Sequence, residues 1–308
     1  MNLFFHVDID SPKTLSKFWG IENTGVDLDS FYDIAMSRAL SLFKECGIPA
    51  TFFCVGEELR TSEAARTKMK EAFFQGHEIA NHTYTHPYGL TQLSEASLSA
   101  EIARCSDVIG EITGVHPVGF RAPSYDIDHS VFRVLERQGF LYDSSAAWSS
   151  LLPAIKTYHR FFSKKKIQTE FGNGSAGIPE DLYFPSAENW TQKSLEERGI
   201  LEIPIPRTSF LKLPFYSNFH LMAGSFYRKI AFTGMNRPNI VYLIHLIEFV
   251  DLEDGIPKNL GVHTNLKTAA VHKIEFLRQS IRMLSEKYTF VRSDKFAQSF
   301  MAEHKGLS

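Results

Sequence analysis

Strand-like and helix-like segments alternate five times in roughly the first 145 residues, and this rhythm limits the fold more than any other feature of the chain. An apolar run over residues 3 to 9 ends in acid, and an irregular stretch follows. Phe31, Ile34, Ala35, Ala39, Leu42, Phe43 and Cys46 then recur at helical spacing until Gly47 and Pro49 stop them. "ATFFCVG" reads as the second strand, a helix follows near 63 to 75, and "HEIA" at 77 to 80 is the third strand. A helix near 93 to 112 carries the stripe Leu98, Ile102, Cys105, Ile109 and Ile112. "PVGFR", a helix near 129 to 138 entered through the capping residue Asp128, and "FLYD" complete the series. Such alternation links parallel strands through crossover helices, so the class is α/β, a doubly wound sheet or a barrel.

The polar residues fall in one place on that frame. Asp8 and Asp10, His82 and His86, Arg121 and Asp143 all sit at or just after the C-terminal ends of expected strands, where (β/α) barrels assemble their sites. From 146 to 200 the pattern weakens into Gly, Ser, Pro and aromatic residues, which reads as an elaborated loop region. Order returns with "LEIPI" at 201 to 205, "NIVYLIH" at 239 to 245, a helix near 266 to 286, the short strand "TFVR" and a terminal helix. The aromatic stretch "FLKLPFYSNFHLMAGSFYRK" between them is read as core packing around irregular loops, in preference to a sugar platform or an acyl-chain groove. There is no internal repeat and no Gly-, Ser- or Pro-rich linker, so residues 1–308 are expected to form a single domain.

Composition excludes several function classes. The formal net charge is −2 with both signs interspersed, so no global field argues for nucleic acid or an anionic membrane as the main partner, and Lys164-Lys165-Lys166 reads as a solvated loop. Cys46, Cys54 and Cys105 are too few and too scattered for a disulfide framework. "MNLFFHVDID" reaches a charged strand end too early for a signal peptide, and no run approaches a membrane span; a cytoplasmic location is the expectation. Peripheral contact with a lipid-linked substrate stays open, as does oligomeric state. "GNGSAG" at 172 to 177 has dinucleotide-loop spacing but leads into Pro179 instead of a helix, so it is read as a loop. Asp27 and Asp29 precede a helix and read as capping charges, and His6 and His77 as satisfied core histidines.

"NHTYTHP" carries the chemistry. His82 and His86, four apart, can present two imidazoles to one metal ion from a helical turn or a tight loop. "HVDID" adds two carboxylates that strand alternation points the same way. One can complete a two-histidine, one-carboxylate triad with open coordination positions, leaving the other as a base.

Taken together, "HVDID", "HEIANHTYTHP", "GFRAPSYDID", "YDSSAAW" and "VYLIHLIE" resemble the ordered motifs of the polysaccharide deacetylases, the NodB-homology or carbohydrate esterase family 4 group, from residue 4 to about 250. The Asp-x-Asp and "RAPSY" forms look most like the branch of exopolysaccharide loci. The resemblance implies a distorted parallel (β/α) barrel and hydrolysis of an N-acetyl or N-formyl group on an aminosugar. It implies that Asp10, His82 and His86 hold one divalent ion, zinc first, and that Asp8 is the general base with Arg121 keeping it ionised. It implies His245 as the general acid with Asp143 orienting it, and Tyr125, through its backbone N–H, stabilising the oxyanion. Trp148 would wall the acyl pocket; Phe18 and Trp19, in the loop after the first strand, are lid candidates. Ile9 separates aspartates that the commoner members carry side by side, and Ser124 lengthens the usual Arg-x-Pro-Tyr.

Three other readings compete. Hydrolysis of a small cyclic amide or ureide would use the same fold. A non-haem iron oxygenase would use the same triad but leave Arg121 and His245 without a purpose. A non-catalytic carbohydrate-binding protein would not need every catalytic position filled.

Overall fold

Residues Asn2–Asp8 form β1, and each later strand runs parallel to its neighbour in a single sheet. The computed structural model describes residues 1–18, 20–21, 24–153, 157, 174, 176–261 and 264–305. In chain order the later strands are β2 (Thr51–Cys54), β3 (Glu78–Asn81), β4 (Gly119–Phe120), β5 (Tyr142–Asp143), β6 (Leu201–Glu202), β7 (Asn239–His245) and β8 (Thr289–Phe290). The sheet of eight strands has the order β6-β5-β4-β3-β2-β1-β7, with β8 beside the start of β1.

The helices are α1 (Pro12–Phe18), α2 (Leu28–Cys46), α3 (Gly56–Thr61), α4 (Glu63–Phe74), α5 (Glu95–Thr113), α6 (His129–Arg137), α7 (Ser217–Gly234), α8 (Ala270–Ser285) and α9 (Ser293–Lys305). The barrel is open: among the described residues β6 and β7 do not pair. Segments from the long loops edge the gap instead, through Tyr183 on Glu202 and Tyr216 on Leu243.

Strand alternation on β1 sorts the core. Leu3, Phe5 and Val7 pack outward with Phe31, Ala35 and Phe43 of α2, while Phe4 packs inward with Phe53, Tyr142 and Val241. His6 and Asp8 share the inward side with Phe4. Each such apolar side chain contributes about 1.5–3 kcal/mol on burial, so the register of β1 is strongly specified.

Helix ends follow the local chemistry. The Asp27 carboxylate accepts from the N–H groups of Asp29 and Ser30, and Gly47, at φ 65°, closes α2 in the left-handed conformation. Asp128 caps α6 in the same way. The three cysteines are free thiols, with Cys54 and Cys105 buried.

Sequence periodicity missed three helices. The stretch after the first strand, expected to be irregular, is α1, too short to show an amphipathic stripe. The same holds for α3. The aromatic stretch expected to wind through core loops is largely α7, kinked at Gly224 (φ 86°, ψ 169°). The helix expected from 266 is preceded by a separate turn over Thr264–Lys267 and begins at Ala270.

Candidate active site

Parallel topology brings the C-terminal strand ends to one rim. Asp8 ends β1 in register with His245 at the end of β7, His82 follows β3, and Arg121 follows β4. The His82–His86 element is a tight loop. Thr83 N–H donates to the Asn81 carboxamide at 2.8 Å, and Thr83 (φ 66°) and His86 (φ 55°) take left-handed backbone. Such conformations cost about 1–3 kcal/mol each and persist only where surroundings enforce them. Here Gly56 and Glu57 N–H groups donate to Thr83 and Tyr84 carbonyls, and Glu101 accepts from Thr85.

Asp10 lies against both imidazoles, its Oδ1 3.5 Å from His82 Nε2 and its Oδ2 3.6 Å from His86 Nε2. The three residues are buried, and their ligand atoms lie within 4.8 Å of one another. His82 Nδ1–H donates to the Arg121 carbonyl at 2.7 Å, which fixes the tautomer and turns the Nε2 lone pair toward Asp10. Burial lowers both histidine pKa values, that of His86 to about 4, so both imidazoles are neutral at neutral pH. Burial, with the nearby charge of Asp8, raises Asp10. Asp10 Oδ1 and His86 Nδ1 are buried without a hydrogen-bond partner. Two neutral imidazoles and an orphaned carboxylate oxygen fit a divalent cation.

Asp8 is handled differently. Burial alone would raise its pKa, but the charge and hydrogen bond of Arg121 outweigh this and hold it below the usual carboxylate range. Arg121 is fully buried and every branch of it is engaged. Its Nη1 donates to Asp8 Oδ1 at 2.6 Å, Nη2 to His6 Nδ1 at 2.7 Å and Ser144 Oγ at 3.0 Å, and Nε to the Ser144 carbonyl at 2.8 Å. The guanidinium carbon also sits 4.1 Å over the Phe53 ring. His6 is thus a core histidine that also helps to hold Arg121. Its Nε2 meets Ser293 Oγ at 2.8 Å, and burial beside Arg121 keeps it neutral.

His245 Nε2 lies 3.9 Å from Asp8 Oδ2, and the ring is 23% exposed, the most open of these groups. Its orientation comes from Glu248: the His245 N–H donates to Glu248 Oε1 at 2.9 Å, and the Glu248 N–H donates back to the ring.

Two expected site residues differ from expectation. Asp143 does not orient His245. Its oxygens accept from Ser145 Oγ (2.6 Å) and Ser145 N–H (3.1 Å), and burial raises it beside Glu202, its partner across β5 and β6. The Tyr125 backbone N–H donates to the Ala122 carbonyl at 3.0 Å, closing a tight turn with left-handed Ser124 and Tyr125, so it is not aimed at an oxyanion. Trp19 and the side chain of Phe18 lie outside the described residues, as does much of "GNGSAG" and all of Lys164–Lys166. Tyr125 and Trp148 do come together: with Leu152, Ile205, Pro214 and Tyr216 they line an apolar cavity of about 100 Å³. The charge of Asp8 reaches the buried Tyr125 hydroxyl and, after burial itself, raises its pKa.

Sequence reasoning also missed Glu58 on α3. This buried carboxylate accepts from Ser11 Oγ and Thr14 Oγ1, both at 2.5 Å, from Ser11 N–H at 3.3 Å, and from the Tyr32 hydroxyl, pinning the chain that follows Asp10. A lone Glu on a short helix gives no periodic signal.

Residues 28–142 match the family model described as polysaccharide deacetylase. A peptidoglycan deacetylase-like protein of Gibberella zeae is 29% identical over 203 residues, 62% of this chain and 54% of that protein. The peptidoglycan deacetylase of Helicobacter pylori is 28% identical over 154 residues, 48% of this chain and 50% of that one. A solved Mycobacterium smegmatis structure assigned to the polysaccharide deacetylases superposes with a TM-score of 0.61 at 17% identity, covering 98% of this chain and 90% of that one; it shares the fold. Over the matched residues the chain is similar to the polysaccharide deacetylases. It spans about half the length of the two curated relatives described above.

Proposed function

We propose that this chain is a metal-dependent hydrolase that removes an N-acetyl or N-formyl group from an aminosugar of a polysaccharide or of its lipid-linked or nucleotide-linked precursor. The observation that carries this reading is the pairing of two unlike carboxylates. Asp8 is held ionised by Arg121 and faces His245, while Asp10 lies between two neutral imidazoles.

Asp10, His82 and His86 would hold the ion, with zinc the first candidate for this donor set. A divalent ion held there would supply Lewis acidity toward the attacking water and the acyl carbonyl. Asp8 takes the proton from the attacking water, and Arg121 keeps it ionised to do so. His245, set by Glu248 and open to the mouth, gives a proton to the departing nitrogen. Tyr125 and Trp148 offer an apolar wall to the acyl group or sugar face. Products are a free amine and a carboxylate. The two relatives described above bear deacetylase names, and no observation favours a cyclic amide.

The test is acetate and formate release from a panel of N-acylated aminosugars by metal-stripped protein with and without added zinc, beside His245→Ala. Zinc-restored release that the substitution abolishes supports the reading and names the acyl group. No release from any sugar, with turnover of a cyclic amide instead, overturns it.

A further inference from the structure

Among the described residues ten large apolar side chains are exposed, and five of them fall between Phe210 and Ile230. Phe210 is 92% exposed and Phe226 81%. Phe226 and Ile230 stand one turn apart on the part of α7 beyond the Gly224 kink, so they share a face; Met222 is exposed on the turn before it. Phe210 and Leu211 form the tip of a hairpin closed by Thr208 N–H on the Leu213 carbonyl at 2.9 Å. That hairpin is tied along the helix, since Ser209 Oγ donates to the Gly234 carbonyl at 3.2 Å and the Tyr227 hydroxyl to the Pro214 carbonyl at 3.5 Å. The helix is not loosely held. Ala231 and Phe232 are core, and Arg228 donates to the Phe276 carbonyl and Ser280 Oγ on α8.

Charge says what covers this face. From Ile203 through Ile247 there is no Asp or Glu, while Arg207, Lys212, Arg228, Lys229 and Arg237 are all present, in a chain whose net charge is −2. Arg207, Lys212 and Arg237 converge on the single carboxylate of Glu180, three cations to one anion, and Lys229 is exposed on α7 beside Phe226 and Ile230. A second copy seated symmetrically would set this cationic segment against itself. Arg207, Arg228 and Arg237 are buried, so the cations that reach the surface here are Lys212, half-buried against Glu180, and Lys229. Protruding aromatic and aliphatic side chains beside these lysines, on a segment with no acid of its own, match the anionic surface of a bilayer, where apolar tips enter the headgroup boundary and lysines meet lipid phosphates.

We propose that the Phe210–Leu211 hairpin and the outer face of α7 dock on an anionic lipid bilayer. The hairpin adjoins the mouth: Ser150 N–H and Oγ donate to the Lys212 and Leu211 carbonyls, and Pro206, Pro214 and Tyr216 share the cavity of Tyr125 and Trp148. Docking therefore holds that cavity beside the membrane surface and selects an aminosugar carried on a membrane-embedded anchor. This consequence for the substrate rests on the deacylase reading; the docking does not.

The test is flotation of the full chain with vesicles of phosphatidylcholine alone and with about a third phosphatidylglycerol. The expected result is flotation with the anionic vesicles that weakens with salt. Phe210→Ser/Phe226→Ser/Ile230→Ser, with unchanged circular dichroism and unchanged hydrolysis of a soluble N-acylated sugar, should lower the partition coefficient by at least roughly tenfold. Lys229→Glu should lower it by about fivefold or more. Absence of flotation with either vesicle, flotation untouched by these substitutions, or a lipid-independent dimer that the triple substitution abolishes would each overturn the proposal. Flotation of a protein that hydrolyses no N-acylated sugar would retain the docking and sink only the deacylase reading.

Discussion

Replacing Arg121 by Met isolates what the buried cation does. The substitution keeps the volume of the stem and removes donors from Asp8, His6, Ser144 Oγ and the Ser144 carbonyl at once. Each buried acceptor left without a donor costs about 1–3 kcal/mol, and breaking a buried ion pair by removing one partner costs about 3–5 kcal/mol. The latter is the sounder total, because Asp8 can escape part of the penalty by taking up a proton. That escape gives the loss a pH signature. In the native protein Asp8 is held below the usual carboxylate range, so its contribution is present above the unfolded pKa and is lost as pH falls through the lower folded value. In the variant burial is unopposed by Arg121 and the folded pKa rises. The folded state then binds more protons than the unfolded one, and the variant's stability falls as pH rises above the unfolded carboxylate pKa. Urea unfolding at about pH 5 and pH 8 should show a deficit of roughly 3–5 kcal/mol at the higher pH and a smaller one at the lower. In activity assays the acid limb of kcat/KM should move to higher pH. A deficit under about 1 kcal/mol, or one equal at both pH values, would refute this reasoning.

Other expectations follow from the same geometry. His245→Ala should lower kcat by about 10²–10⁴ while metal analysis still finds the ion, because the ring touches Asp8 and not the Asp10 cluster; loss of the ion would contradict that separation. Glu58→Leu strands the hydroxyls of Ser11, Thr14 and Tyr32 and frees the chain after Asp10, so calorimetry should show zinc binding weakened by about tenfold or more. Unchanged affinity would mean that Asp10 is held by β1 alone. Glu78, raised to about 8 by burial and by Asp294, binds a proton in the folded state that the unfolded chain releases, so this group costs stability as pH rises from its ordinary value of 4.5 toward 8. Glu78→Gln should flatten that part of the stability profile in thermal melts; a profile as steep as the parent's would contradict it.

The parallel architecture was legible because crossover helices and buried strands each leave a periodic pattern, and α2 and β7 lie close to where that pattern puts them. The triad was legible because alternation along β1 and the spacing within "NHTYTHP" are local. What failed to show depends on contacts distant in sequence. Nothing near Asp143 says that it will meet Ser145 and Glu202 and not His245, and nothing near His245 distinguishes Glu248 from any other nearby acid. His6 reads as core, which it is, but its bond to Arg121 spans 115 residues. The aromatic stretch misled differently. Hydrophobicity predicts burial, and Phe215 and His220 obey it, yet Phe210 and Phe226 on the same stretch face outward. The kink at Gly224 breaks the helical period that would have separated the two faces.

The most direct measurement is a zinc titration of metal-stripped protein that reads bound metal and acetate release together, in the parent chain and in Asp8→Asn and Asp10→Asn. One equivalent of zinc should restore release in the parent; Asp8→Asn should bind that equivalent and stay inactive, and Asp10→Asn should bind none with comparable affinity. Release without metal, or tight stoichiometric zinc in Asp10→Asn, would contradict the division of labour between the two aspartates.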